Sequence, residues 1–357
     1  MTAAAQSVGA LQEALRTHSR VLPRGAGTKS ALSVPADGVT SLDLGGHCGI
    51  VDYDPAELTF TARAGTPVRE VETALSAERQ HLPFDPPWRD ATLGGVVAAG
   101  TSGPASYRHG GVRDFVIGVD FLDGTGTLVH GGGRVVKNAA GFDLPKLMVG
   151  SMGRLGILVA LTFKVFPRPE AWTTIRAQSA DLESALEQAR HLARGPITLD
   201  ALELEPPGRL WIRVSGPPRT LAPRCERLIR MLDADIERFD GHADARIWSA
   251  AREVAWAPAG AAVVKAALTP SRVATLDAEL VVAGAARRYS RAATVAWIAW
   301  PPQRSLAELD RLLGRHGLTG LALTGPAGSG LLGARTGGAF AHRVRRALDP
   351  DDRFPEV

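Results

Sequence analysis

The chain has 357 residues, 45% of them hydrophobic and 22% charged, with a formal net charge of +4 and two cysteines. This is an ordinary globular composition with room for two or three domains, and no apolar run is long enough to cross a bilayer. Two cysteines, Cys48 and Cys225, exclude a disulfide framework or an iron–sulfur cluster held by this chain alone, and no metal site is expected; the scattered arginines and the 6% aromatic content speak against nucleic-acid binding.

The first residues lack a basic start followed by an apolar core, so no secretory signal is expected and the cytoplasm is the expected location. Val8, Leu11 and Leu15 recur at helical spacing. Short β-like runs follow at 20–23, 41–44, 49–54, 58–64, 114–123, 127–131 and 157–166, separated by glycine turns. A helix is predicted over 66–80, with Thr66 as N-cap, Pro67 in the first turn and Val68, Val71 and Leu75 as its apolar stripe. Pro167 and Pro169 mark a boundary that divides the chain into 1–168 and 169–357. Beyond it glycine thins out. Helices are predicted at 181–193, 220–234, 242–255 and 305–317, alternating with strands at 198–205, 210–216, 261–268, 294–300 and 318–325. The basic runs "AARRYSR" and "HRVRRALD" read as solvated surface.

Three glycine-dense stretches carry the chemistry. In "LPRGAGTKS", residues 22–30, a strand runs into Arg24, Gly25, Ala26, Gly27, Thr28 and Lys29. Glycines let successive backbone N–H groups converge on an anion, Thr28 adds a hydroxyl, and Arg24 and Lys29 add positive charge. The loop is neither a Walker A motif nor a dinucleotide GxGxxG, since the third glycine is missing and no helical pattern follows. In the second stretch, residues 85–118, Thr92, Leu93, Gly94 and Gly95 open a small apolar helix whose N-terminus suits phosphate. Gly100, Ser102 and Gly103 break it. The third stretch, 131–157, has too many glycines for a core helix and too many apolar residues for a linker. One elongated anionic cofactor touching all three accounts for them together.

The ordered series "PRGAGTK", "PPWRDATLGGVVAAGTSGP", "YRHGGVRDFVIGVDFLDGTG" and "VVKNAAGFDLPKLMVGSMGRLGIL" resembles the FAD-binding domain of the PCMH, or vanillyl-alcohol-oxidase, type over residues 20–170. Within that family it is similar to the FAD-binding E subunits of glycolate oxidases. The resemblance implies an α+β fold: a two-part PCMH-type FAD-binding domain, then a smaller α+β C-terminal domain with an antiparallel sheet. It implies FAD as cofactor. It puts the first diphosphate loop on Gly25–Lys29 and the second on Thr92–Gly95, Gly100, Ser102 and Gly103. Tyr107 and Gly110 fall where relatives approach the flavin ring, and Gly150, Ser151, Gly156 and Ile157 where they hold the adenosine half.

Some positions depart from the family. The first loop has no histidine or cysteine for a covalent link, so noncovalent FAD is expected, with His109 the sole weak alternative. Met152 and Arg154 stand where active relatives usually have an acidic residue and a threonine. No histidine-rich substrate site is evident in the second half. The leading reading is an FAD-binding subunit of a complex that oxidises glycolate, a small 2-hydroxyacid, to glyoxylate. Its partners are a sibling flavoprotein subunit and an iron–sulfur subunit, through which it sits at the inner membrane face. The alternatives are a self-sufficient 2-hydroxyacid dehydrogenase, with Arg287, Arg288, Tyr289 and Arg291 as carboxylate holders, and a structural subunit with a degenerate flavin site.

Overall fold

The computed structural model describes residues 2–4, 7–133, 142–326, 330–335 and 337–355. Its first half is built on a five-stranded antiparallel sheet whose spatial order is Ile50–Asp54, Thr59–Arg63, Ile157–Lys164, Val116–Leu122 and Leu128–Gly132. The alternation in Thr59–Arg63 turns Phe60 and Ala62 inward, where Phe60 stacks on Phe163 at 5.5 Å between ring centroids. The helix Val68–Ala77 lays Val68, Val71 and Leu75 on this core. Beside it lies a small parallel sheet of Thr2–Ala4, Thr40–Asp43 and Val21–Arg24. The helix Val8–Thr17 packs nearby through Leu11, Ala14 and Leu15.

The second half forms a nine-stranded antiparallel sheet. It is the larger of the two main sheets. The helices Leu182–Ala193, Pro218–Ile229, Val273–Val282 and Leu306–Arg315 share one core with Ile175, Ile212, Val264, Tyr289 and Ile298 of the sheet. Along the strands Ala262–Ala267 and Val295–Trp300, every second residue points into that core. The intervening Val263 and Trp297 pack instead with Leu32 and Ala99 of the first half. The sheet therefore has helices on one face and the first half against the other.

Local expectations needed revision at several points. Pro67 occupies the N-cap position of Val68–Ala77. Thr66 is fully buried; its hydroxyl donates to Arg63 O at 2.7 Å and accepts from Gly49 N at 2.9 Å. The run 114–123 begins as a helical turn, Val112–Phe115, because the Asp114 carboxylate accepts from Gly111 N at 2.8 Å and holds the turn closed. "AARRYSR" is not solvated surface: Ala286–Ser290 is a strand inside the large sheet. Its charges are satisfied laterally, with Arg287 bonded to both Asp277 oxygens at 2.6 Å, Tyr289 to Asp277 at 2.7 Å and Arg288 to Glu205 at 2.9 Å. The strands Ala171–Gln178 and Asp235–Asp240 and the helices Val273–Val282 and Gly338–Leu348 were not anticipated.

The strand Ile157–Lys164 belongs to the five-stranded sheet and Ala171–Gln178 to the nine-stranded one. The final residues return to the first half. Gly124 N bonds Leu348 O at 2.7 Å, Val21 N bonds Arg353 O at 2.8 Å, and Phe354 is fully buried among Leu11, Val21 and Ile157. The two halves are also joined by charge. Arg252 reaches Glu72 at 2.5 Å, Asp85 at 2.9 Å and Pro86 O at 2.8 Å, and Arg108 reaches Asp200 at 2.6 Å.

Candidate cofactor site

The strand Val21–Arg24 leaves its parallel neighbour at Arg24 and turns through residues 25–29. A short helix, Ser30–Ser33, follows where none was expected. Among the described residues no acceptor is hydrogen-bonded to the amides of Gly25, Ala26, Gly27, Thr28 or Lys29. Five successive donors without a protein acceptor are an anion cradle. Gly27 has φ +71°, the left-handed region that disfavours a side chain. Gly25 permits a close approach of two segments, since a Cβ there would stand 2.2 Å from Thr92 Oγ1.

Lys29 closes this loop. It is only 5% exposed, and burial pushes its ammonium down to about 8. No carboxylate pairs with it among the described residues; the ammonium lies over the Trp88 ring at 5.4 Å. A buried lysine with an aromatic neighbour and no counter-charge is poised for an incoming anion.

Thr92 caps the helix Leu93–Ala99, its Oγ1 accepting from Gly95 N at 3.2 Å. The amides of Leu93 and Gly94 are engaged by Thr66 O at 2.9 Å and Ala64 O at 2.8 Å. This corrects the expectation that the helix N-terminus supplies phosphate donors: residues 92–94 run alongside 64–67, and that pairing takes up the amides. The segment contributes closeness of backbone instead.

The third segment passes beneath the same helix. Gly150 N bonds Val97 O at 3.0 Å and Met152 N bonds Ala98 O at 2.7 Å. Gly156 admits no side chain, because a Cβ would meet Leu122 O and the Phe121 ring at 2.7 Å. Ile157 follows as a fully buried strand residue.

The three segments meet around one cleft. Of the expected residues it is lined by Arg24, Gly25, Ala26, Gly27, Thr28, Lys29, Thr92, Gly94, Gly95 and Gly156. Pro23, Leu44, Gly153 and Leu158 form another part of the wall, and Leu32, Ala98, Ala99 and Met152 a further one; these apolar and glycine positions were missed. The glycine at 153 was the available signal. None of the lining residues is acidic, while Arg24 and Lys29 are cationic. Cationic lining, free amides and missing side chains fit a diphosphate-bearing ligand.

The other expected residues lie outside the lining. Leu93 is fully buried in the core. Gly100 is the left-handed C-cap of the small helix, and a Cβ there would stand 3.5 Å from Gly150. Ser102 Oγ accepts from Val112 N at 2.9 Å, and Gly103 N donates to Phe84 O at 3.0 Å. Gly110 N donates to Ser106 O, and Tyr107 packs on the core of the large sheet. Ser151 is buried, its hydroxyl without a partner among the described residues. His109 lies edge-on to Phe166 at 5.3 Å, also outside the lining. Lys137, Asn138 and Gly141 lie outside the described residues.

A second, tighter cavity lies between the halves, lined by Pro87, Gly103 and Pro104 on one side and Glu203, Arg288, Ser290 and Trp297 on the other. Ser290 Oγ donates to Glu203 Oε1 at 2.6 Å, and burial pushes the Glu203 carboxyl above its usual range. Arg288 Nε has no partner among the described residues. Also among the described residues, no group of three or more potential metal ligands occurs and no helix is long and apolar enough to cross a membrane.

Comparison with known proteins agrees with this chemistry. Residues 2–132 match the family described as FAD binding domain. The chain is 40% identical over 208 residues to glycolate oxidase subunit GlcE of Escherichia coli, covering 58% of this chain and 59% of that protein. It is 29% identical over 188 residues to glycolate oxidase subunit GlcD of Bacillus subtilis, covering 51% and 40%. It is 32% identical over 155 residues to the mitochondrial D-lactate dehydrogenase [cytochrome] 1 of Saccharomyces cerevisiae, covering 43% and 26%. The matches thus span less than two thirds of these relatives. A solved structure of alkyldihydroxyacetonephosphate synthase superposes on 100% of this chain and 77% of its own with a TM-score of 0.72 at 16% identity, which shows a shared fold.

Proposed function

We propose, with residues 2–132 belonging to the FAD binding domain family, that this chain is the FAD-binding subunit of a 2-hydroxyacid oxidase complex acting on glycolate. The observation that carries the reading is the run of free amides from Gly25 to Lys29 beside a buried, unpaired lysine in a cleft without acidic lining. When bound, the cofactor supplies a ring that accepts and passes on hydride equivalents. The chain's own residues do the holding. The amides of residues 25–29 bind the diphosphate, and Lys29 and Arg24 neutralise it. Gly25 and Gly27 leave room for it. The adenosine half lies along Gly153, Gly156 and Leu158. Attachment is noncovalent, since no cysteine or histidine lines the cleft.

The names of the relatives, subunits GlcE and GlcD, support assembly with a sibling flavoprotein. In our reading that sibling oxidises glycolate, this chain relays electrons toward an iron–sulfur subunit, and the partners bring the complex to the inner face of the membrane. The test is the visible spectrum of the purified chain before and after acid denaturation, followed by anaerobic glycolate. A yellow protein that releases free FAD and is not bleached by glycolate is the expected result. A colourless chain that takes up no added FAD would instead make it a structural subunit.

The tighter cavity favours a second reading, a self-sufficient dehydrogenase. There Arg288 would hold the substrate carboxylate and the buried Glu203, with its raised proton affinity, would take the hydroxyl proton. Bleaching of the isolated chain by glycolate, lost in Arg288→Lys, would establish it over the first.

A further inference from the structure

The ammonium of Lys29 stands at the cleft wall, 4.0 Å from where a Cβ on Gly95 would lie. The side chain is buried, so the charge has given up most of its water. Among the described residues no oxygen accepts from it and no carboxylate pairs with it. The partner it has is the face of Trp88, at 5.4 Å from the ring centroid and within reach of a cation–π attraction.

Trp88 is itself held under constraint. Its φ is +57°, a left-handed conformation that a bulky residue rarely adopts and that persists only where the surroundings enforce it. Those surroundings come from both halves of the chain. The Trp88 N–H donates to Arg252 O at 3.3 Å, and its carbonyl accepts from Ala91 N at 2.8 Å. Its ring meets Trp297 of the large sheet nearly edge-on, with 6.4 Å between centroids and 72° between planes. It packs between the core of the five-stranded sheet and the cluster that holds Leu32, Ala99 and Trp297. A lysine stem is flexible and its ammonium strongly hydrated, so a fixed aromatic face is what keeps this one at the wall.

Resting on the FAD reading, we infer that Trp88 is a positioning residue: its ring holds the Lys29 ammonium at the anion cradle before the diphosphate arrives. Two effects pull the same way. The ordering of a flexible cation is settled in the free protein, which lowers the cost of binding. The ring face also favours the charged amine over the neutral one, opposing the burial that disfavours it. The second effect has its own signature. The anion binds the charged amine, so affinity declines above the pH at which Lys29 of the free protein loses its proton. Removing the ring moves that decline to lower pH.

The experiment measures the dissociation constant of FAD by flavin fluorescence from pH 6 to pH 9. It compares the wild type, Trp88→Leu, Trp88→Phe, and Trp88→Leu placed in the Lys29→Met background. Leu and Phe meet the same backbone strain, and Phe keeps an aromatic face. In Trp88→Leu the decline in affinity is expected to begin about one pH unit lower than in the wild type. Trp88→Phe should recover part of that shift, and in the Lys29→Met background the substitution should no longer move the profile. A merely structural tryptophan would weaken affinity by the same factor at every pH. A Trp88→Leu profile that declines where the wild type does, or at higher pH, therefore overturns the inference and leaves the FAD reading intact. Failure of the wild-type chain to bind FAD removes that reading, and the inference with it. Should Trp88→Leu not fold, Trp88→Met provides the non-aromatic comparison under the same criterion.

Discussion

At the scale of single residues, the first loop sets function against stability. Lys29 is buried and its pKa lies at about 8, below the 10.5 of a free lysine. Between those values the unfolded chain binds the proton more readily than the folded one, so this group's contribution to stability rises with pH through that window. Lys29→Met removes the buried charge. It should stabilise the ligand-free protein at pH 7 by up to about 3 kcal/mol, at about 1.4 kcal/mol per unit. The same variant should bind FAD more weakly. An anion raises the lysine pKa on binding, so wild-type affinity should be greatest below pH 8 and decline above it. In Lys29→Met that decline should be largely lost. Thermal melts and flavin titrations between pH 6 and 10 check both. Gly27→Val should place a β-branched side chain at φ +71°, against the Arg24 guanidinium at 2.7 Å. It is expected to cost about 1–3 kcal/mol in backbone strain and to lower FAD content. Unchanged flavin stoichiometry in the variant would remove this loop from the site.

At the scale of elements, the segments of the site are held by contacts whose partners are far apart in the chain. The Thr92 hydroxyl fits under Gly25 because neither Gly25 nor Gly95 has a side chain. Gly25→Ala should push the two segments apart and weaken flavin binding about as much as Gly27→Val does, with less effect on melting. The helix Gly241–Arg252 is tied to the first half through Arg252, which serves Glu72, Asp85 and Pro86 O. Asp85 is buried and its carboxyl is pushed up by burial, with Arg252 opposing the shift. Arg252→Met leaves that acid without its nearest cation and should cost about 3–5 kcal/mol, measured by denaturant unfolding. The strand Ala286–Ser290 shows why element-level reading of sequence fails where charge is paired across strands. Two arginines and a tyrosine look solvent-bound until Asp277 and Glu205 are brought beside them.

At the scale of the whole molecule, the cleft exists because two sheets of different parentage share the helix Leu93–Ala99 and the small loops around it. Residues from 23 to 158 line it, and Trp297 and Val263 of the large sheet pack against Leu32 and Ala99 of its wall. The sequence by itself determined the glycine loop at 25–29, the short helix after Thr92, and the buried strand after Gly156. Each is a local demand of backbone conformation or side-chain periodicity, and such demands are written in neighbouring residues. Only the tertiary structure decided which amides remain free. Those of Leu93 and Gly94 are engaged by residues nearly thirty positions earlier, whereas those of the first loop meet no acceptor among the described residues. It also decided that Lys29 is buried with no carboxylate partner among the described residues, and that a charged run is a central strand. The reason is the same in each case. Hydrogen-bond satisfaction and desolvation depend on what stands opposite a group, and that partner comes from sequence separations no local pattern records.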